Sequence, residues 1–163
     1  MGSDLCKMLA VMLFVGCVPT VEPQQHSFDP SFVVMATEAD TWDAVVDVFG
    51  DRGWSITSMD RAGGFMVTDW VQVHNRPSWL DCGSYKWPQN RGEARFNMRI
   101  QPEPEGGVTK VTVRTSMRGE MPNVRVTSGM FSSEHGGGYK SCYSTGAVEE
   151  QIKADLLRRL PAI

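Results

Sequence analysis

The sequence predicts an α+β fold: an antiparallel β-sheet of about five strands with two helices packed on one face, in the order β-α-β-β-β-β-α. Three observations carry that prediction. Apolar residues recur at helical spacing in two separate stretches, one around Trp42 and one ending at Leu160. Between them, residues 65–73 and 94–117 alternate apolar and polar side chains, as half-buried strands do. Glycine-rich turns separate the alternating runs.

Taken in order, Phe32 to Met35 is a short apolar run and the expected first strand. Asp40 is expected to cap the first helix, with Asp43 in its first turn at the positive end of the helix dipole. Trp42, Val45, Val46 and Phe49 follow at i, i+3, i+4 and i+7 and form its buried face; Gly50 and Gly53 end it. Trp54-Ser55-Ile56 opens a second strand, and Asp60 to Gly64 is a turn. Phe65, Val67, Val71 and Val73 alternate with Met66, Thr68, Trp70 and Gln72, which predicts a third strand over 65–73. Ala94, Phe96, Met98 and Ile100 alternate with Arg95, Asn97, Arg99 and Gln101; after the Pro-Glu-Pro-Glu-Gly-Gly turn at 102–107, Val111, Val113, Thr115 and Met117 return the chain as a hairpin. Glu120 to Tyr143 has no period and reads as one long loop. Ser144 or Thr145 is expected to cap a final helix, with Glu149 and Glu150 near its start, Arg158 and Arg159 near its end, and Val148, Ile152, Leu156 and Leu160 as its buried stripe. The loops at 74–92 and 119–143 are long enough that they either carry function or are pinned.

With 163 residues, the chain has the size of one domain. Its 16 basic and 19 acidic residues give a net charge of −3, so the chain as a whole makes no electrostatic case for a nucleic-acid partner.

Met8 to Gly16 is an uncharged run of nine residues, too short to span a membrane but right for the core of a secretory signal. Leu13-Phe14-Val15-Gly16-Cys17 resembles the lipobox of bacterial lipoproteins, in which the cysteine after a small residue is lipidated and becomes the new N-terminus. Phe14 stands where that pattern prefers Leu. The alternative is an ordinary signal peptide cut nearby, leaving Cys17 a simple thiol. The resemblance divides the chain into a lipoprotein signal peptide at 1–16, a lipidated Cys17 with a flexible tether to residue 30, and a folded domain over 31–163. Each buried acyl CH2 contributes roughly 0.8 kcal/mol, so several chains on Cys17 hold a protein on a membrane durably. Val18 is not the Asp that commonly retains such proteins at the inner membrane, which points to the outer membrane, facing the periplasm.

A second resemblance lies in the domain. Asp40 to Ile56, a Trp-led helix with a Gly-aromatic exit into a strand, and Met59 to Trp70, with an Asp-Arg-small-Gly turn into the next, resemble a helix-grip domain of the BamC family of lipoproteins. Those proteins are accessory subunits of the machinery that assembles β-barrels into the outer membrane. The likeness covers about 35 residues and contains no catalytic motif, and a helix-grip fold in an envelope setting is what it implies. BamC carries two such domains, whereas this chain has room for one.

Cys6 leaves with the signal and Cys17 takes the lipid, so Cys82 and Cys142 remain as a pair in an oxidising compartment. A bridge between them would stabilise by about 4 kcal/mol in the chain-entropy model. Zinc held by His74, Cys82, His135 and Cys142 is the rival, at spacings much wider than those of usual zinc modules, and free thiols are the third possibility. His135-Gly136-Gly137-Gly138 matches the oxyanion-hole string of some lipases, but no Gly-x-Ser-x-Gly elbow accompanies it. Neither a Walker loop nor a dinucleotide fingerprint is present, so the sequence suggests no cofactor, no metal and no enzyme.

The outer face of the hairpin is the sharper feature. If Gln101 pairs near Val108, Arg95 lies opposite Arg114 and Arg99 opposite Lys110, with Trp70 on a neighbouring strand. Those five residues form the candidate binding face, suited to an acidic protein surface, a lipid headgroup or an anionic glycan; the alternative is a solvated face whose charges spread into water. The expected function is therefore a non-enzymatic, lipid-anchored envelope adaptor or assembly factor, attached to the membrane through Cys17 and engaging an envelope protein or an anionic ligand. A small-ligand or lipid carrier, with a pocket beneath the Trp42 helix, is the alternative.

Overall fold

The computed structural model describes residues 21–73, 78–83, 91–104, 106–121, 124–128, 131–135 and 137–160. The proposed signal peptide and Cys17 lie outside the described residues, as does His74. The chain runs β1 (Ser31–Val34), α1 (Glu38–Asp51), β2 (Ile56–Asp60), β3 (Phe65–Thr68), β4 (Val71–Gln72), β5 (Leu80–Asp81), β6 (Gly92–Pro102), β7 (Thr109–Met121), β8 (Val124–Ser128), β9 (Phe131–His135), β10 (Gly138–Ser144) and α2 (Ala147–Arg159). The fold is α+β, with an antiparallel main sheet of eight strands rather than about five. Its order is β2-β3-β6-β7-β10-β5; β4 lies beside β6 and β1 beside β7, and β8 pairs only with β9.

The extra strands have physical causes. The run expected as one strand over 65–73 breaks at Asp69, whose carboxylate accepts the Trp70 N–H at 2.7 Å while its own N–H turns to the Ser55 carbonyl at 2.8 Å. The stretch expected as one loop over 119–143 is instead the end of β7, the β8–β9 hairpin and β10. Ladder hydrogen bonds hold it without the apolar alternation that would have revealed it. Only two residues long, β5 is too short to show any period.

Thr37, not Asp40, caps α1. Its hydroxyl accepts the Asp40 N–H at 3.1 Å and donates to the Asp40 carboxylate at 2.7 Å, so Asp40 completes the cap from inside the first turn. At the other end, the N–H groups of Gly53 and Trp54 return to Gly50 and Phe49 at 2.9 and 2.8 Å, a Schellman closure. That closure throws Trp54 back onto Phe49, with ring centroids 5.5 Å apart. Neither Ser144 nor Thr145 is the N-cap of α2; that position is Gly146, with φ at +91°. The two hydroxyls instead accept the N–H groups of Gly146 and Ala147. The left-handed turn suits glycine, and Phe28 lies so close that a β-carbon would sit 2.9 Å from its ring.

Both helices pack on the face of the sheet that carries Ala94, Phe96, Met98, Ile100, Val111 and Val113, all buried. Trp54 stacks on Phe96 at 4.4 Å, with Phe49 6.2 Å from the same ring. The helices are tied to each other at the rim by Arg52 with Asp155 and by Arg159 with Asp51. Cys82 and Cys142 are joined by a disulfide, with Cα atoms 4.4 Å apart. The bridge consumes both thiols that the zinc alternative needed. Residues 21–30, expected as a flexible tether, carry no helix or strand yet lie along the domain. His26 contacts the Asp81 carboxylate at 2.9 Å, and the Pro30 carbonyl accepts the Val113 N–H at 2.8 Å.

Candidate binding face

The β6–β7 hairpin sets the face opposite the helices. Its register differs from the expected one by two residues: Gln101 pairs with Lys110, and Pro102 with Thr109. The turn has the expected length but sits one residue further along the chain: Gly106 and Gly107 both take left-handed φ near +67°, and the Glu103 N–H closes onto the Val108 carbonyl. A two-residue shift leaves every side chain on its expected face and changes only its partner. Arg95 therefore faces Ser116, Arg114 faces Asn97, Arg99 faces Thr112 and Lys110 faces Gln101. No cation of the four faces another, so the expected like-charge pairs are replaced by diagonal neighbours about 7–8 Å apart.

Three of the four sit together. Arg99, Lys110 and Arg114 line a trough of about 500 Å³, with Asn97 and Gln101 on its floor and Phe65 on one wall. All three are exposed, and none forms an ion pair with a described residue. Phe65 is 40% exposed, so the trough combines free positive charge with an apolar shoulder.

Arg95 and Trp70 belong to a second cluster, further along the same face, that the sequence did not reveal. Its centre is Glu93, 6% exposed, which takes Arg118 Nε at 2.6 Å and Arg118 Nη2 at 2.5 Å. Tyr139 donates to the same carboxylate at 3.1 Å, and Gln72 donates to it as well. The Arg118 guanidinium lies between the Trp70 and Tyr139 rings, 3.9 and 4.0 Å from their centroids. A buried carboxylate is tolerated here because Arg118 donates through two N–H groups to Oε2 while Tyr139 and Gln72 donate to Oε1. The bond to Glu93 is also the main reason the Tyr139 hydroxyl titrates above its ordinary value. Trp70 is thus half-covered rather than a free aromatic, and the Arg95 guanidinium sits 5.2 Å from its ring.

Glu93 and Arg118 continue the alternation of the hairpin strands by one step beyond Ala94 and Met117, and that step was the available signal for them. Tyr139 lies in the stretch without period and gave none. His135 is the last residue of β9 and Gly138 the first of β10, while Gly136 lies outside the described residues. Among the described residues, no cluster of three or more His, Cys, Asp or Glu side chains could hold a metal. No described helix is long and apolar enough to cross a membrane. No protein-family model matches the chain, and no curated protein sequence matches it.

Proposed function

We propose that this chain is a lipid-anchored bacterial envelope protein, held through Cys17, that acts without catalysis as a BamC-like adaptor and engages an acidic protein surface through the trough. The observation that carries the reading is the trio Arg99, Lys110 and Arg114: three exposed cations, unpaired among the described residues, in one trough of a chain whose net charge is −3. Charges that served only stability would gain from a carboxylate beside them, and the adjacent Glu93–Arg118 pair forms on the same sheet face. The packing supports an adaptor over a carrier, because Phe49, Trp54 and Phe96 occupy the space between α1 and β6 where a carrier would need its pocket.

The test reverses two charges, Arg99→Glu with Lys110→Glu, leaving Arg114 in place. Crosslinking in intact cells identifies partners, and binding to poly-glutamate supplies a defined acidic probe. We expect binding to both to fall at least tenfold, by the greater factor at low salt, because exposed charges are screened beyond about 8 Å at physiological strength. The melting temperature should be unchanged within about 2 °C, since exposed charges contribute little to stability. Unchanged capture with an unchanged melt would leave the trough a solvated face and overturn the reading.

A further inference from the structure

The sheet is incomplete along one edge of β7. Beside that edge, β1 pairs no further than Thr112, opposite Ser31, and the last contact of the N-terminal segment is Pro30 with Val113. From the other end, β10 pairs as far as Cys142 with Met117. It then leaves β7, and Tyr143 and Ser144 pair with β5. On that edge, residues 114–116 are left with no described strand beside them. The space where that strand would lie is a slot of about 330 Å³, roofed by Gln25, His26 and Phe28 and bounded by Tyr143 and Glu149.

Three buried side-chain polar atoms among the described residues lack a hydrogen-bond partner, and two of them, Thr115 Oγ1 and Glu149 Oε1, belong to residues lining this slot. Glu149 is only 4% exposed, and its other oxygen accepts from the Ser144 hydroxyl at 2.8 Å. Buried polar atoms are nearly always satisfied, and a carboxylate oxygen accepts and cannot donate, so what is missing at Glu149 is an N–H or O–H donor. Two of the neighbouring polar groups are already engaged, His26 with Asp81, and Ser144 with Glu149 and the Gly146 N–H, while Gln25 and Tyr143 are exposed to solvent. Arg114 is not engaged in this way. It lines both slot and trough, is exposed, and forms no ion pair with a described residue.

We propose that the slot binds a small zwitterion, with a primary ammonium donating to Glu149 and Thr115 between the Phe28 and Tyr143 rings, and with a phosphate or carboxylate on Arg114. The volume is at the small end for ligand sites, which suits a headgroup-sized molecule. Aromatic walls favour a cation, and the guanidinium at the mouth favours an anion at the other end. Phosphoethanolamine has this chemistry, whether free or as the headgroup of a phospholipid.

The experiment titrates isotope-labelled protein with phosphoethanolamine, and separately with phosphocholine, whose quaternary nitrogen has no proton to donate. We expect saturable shifts of the Thr115 and Ser144 amides with phosphoethanolamine, and binding at least tenfold weaker with phosphocholine. Glu149→Gln, which keeps the shape of the side chain and a partner for Ser144, should weaken phosphoethanolamine at least tenfold. If that variant melts early, Thr115→Val supplies the second reading and should weaken binding severalfold. Vesicles with and without phosphatidylethanolamine then separate the two sources: capture of the domain by the former alone assigns the lipid headgroup, and binding of the free compound without capture assigns the soluble one. Absence of a saturable shift, equal affinity for phosphocholine, or undiminished binding by both variants would overturn the proposal and leave trapped water as the partner of the two atoms. Arg99→Glu with Lys110→Glu leaves the slot residues in place, so failure of the trough reading and failure of this one are distinguishable.

Discussion

Asp81 shows how one side chain fixes the path of a segment with no secondary structure of its own. Its carboxylate accepts the Gly83 N–H at 2.8 Å, meets His26 at 2.9 Å and accepts the Gln24 N–H at 3.4 Å. The Gly83 N–H is the largest cause of its lowered pKa, and the His26 and Gln24 bonds add to it against the opposing effect of desolvation. Because the folded pKa lies below the unfolded one, Asp81 favours the folded state at pH above its unfolded value, about 3.9. That contribution disappears as pH falls through the lower, folded value. We therefore expect Asp81→Asn to melt below wild type at pH 6 to 7, with the difference closing as both are acidified through and below the ordinary carboxylate range. Thermal melts across that range check it, and a difference independent of pH would mean that the carboxylate charge does not hold the segment. The hold on the segment was not legible beforehand: His26 and Gln24 lie more than fifty positions from Asp81, and the prolines of the N-terminal segment suggested only extended chain. Arg99, Lys110 and Arg114 were legible, because strand alternation assigns faces whatever the register.

At the scale of elements, the bridge between Cys82 and Cys142 is a cross-strand link that continues the β5–β10 pairing, Tyr143 with Asp81 and Ser144 with Leu80. It lies over Gly119 of β7, where a β-carbon would be 2.9 and 3.1 Å from the two sulfurs. The bridge and the glycine therefore depend on each other. Gly119→Ala should destabilise the bridged protein by about 1–3 kcal/mol through overpacking. The same substitution should cost markedly less in a background of Cys82→Ala with Cys142→Ala, where the sulfurs are gone. Denaturant unfolding of the four proteins in a double-mutant cycle measures the difference, and simple additivity would refute the dependence. The cysteine pair could be named from compartment and elimination, but its place in the fold could not, since β5 is two residues long and β10 shows no alternation. The hairpin is the converse case. Its two strands and their faces follow from a period of two, whereas its register depends on where the turn is centred, and the turn built on two consecutive left-handed glycines lies one residue further along than the proline-glutamate pattern suggested.

For the molecule as a whole, the α+β class and the two helices on one face follow from two helical stripes enclosing an alternating hairpin, because such faces must bury each other. The strand count does not, since short and pinned strands need no pattern. The larger consequence concerns the distance between domain and membrane. A tether from Cys17 to residue 30 would stand the domain off by up to about 45 Å, at roughly 3.5 Å per extended residue. Residues 21–30 instead run along the domain, and the Val21 carbonyl lies directly over Gly83, so close that a β-carbon there would come within 2.2 Å of it. If Cys17 carries lipid, only the chain between Cys17 and Val21 separates the domain from the bilayer, at most about 14 Å. Cys17→Ser should then move the domain from the membrane pellet to the soluble fraction on cell lysis, with its melt unchanged. Asp81→Asn should keep it in the pellet while loosening the segment, so that added protease cuts within residues 21–30 and releases the domain faster than from wild type. A Cys17→Ser protein that still sediments with membranes would remove the anchor from the account, and with it the short stand-off.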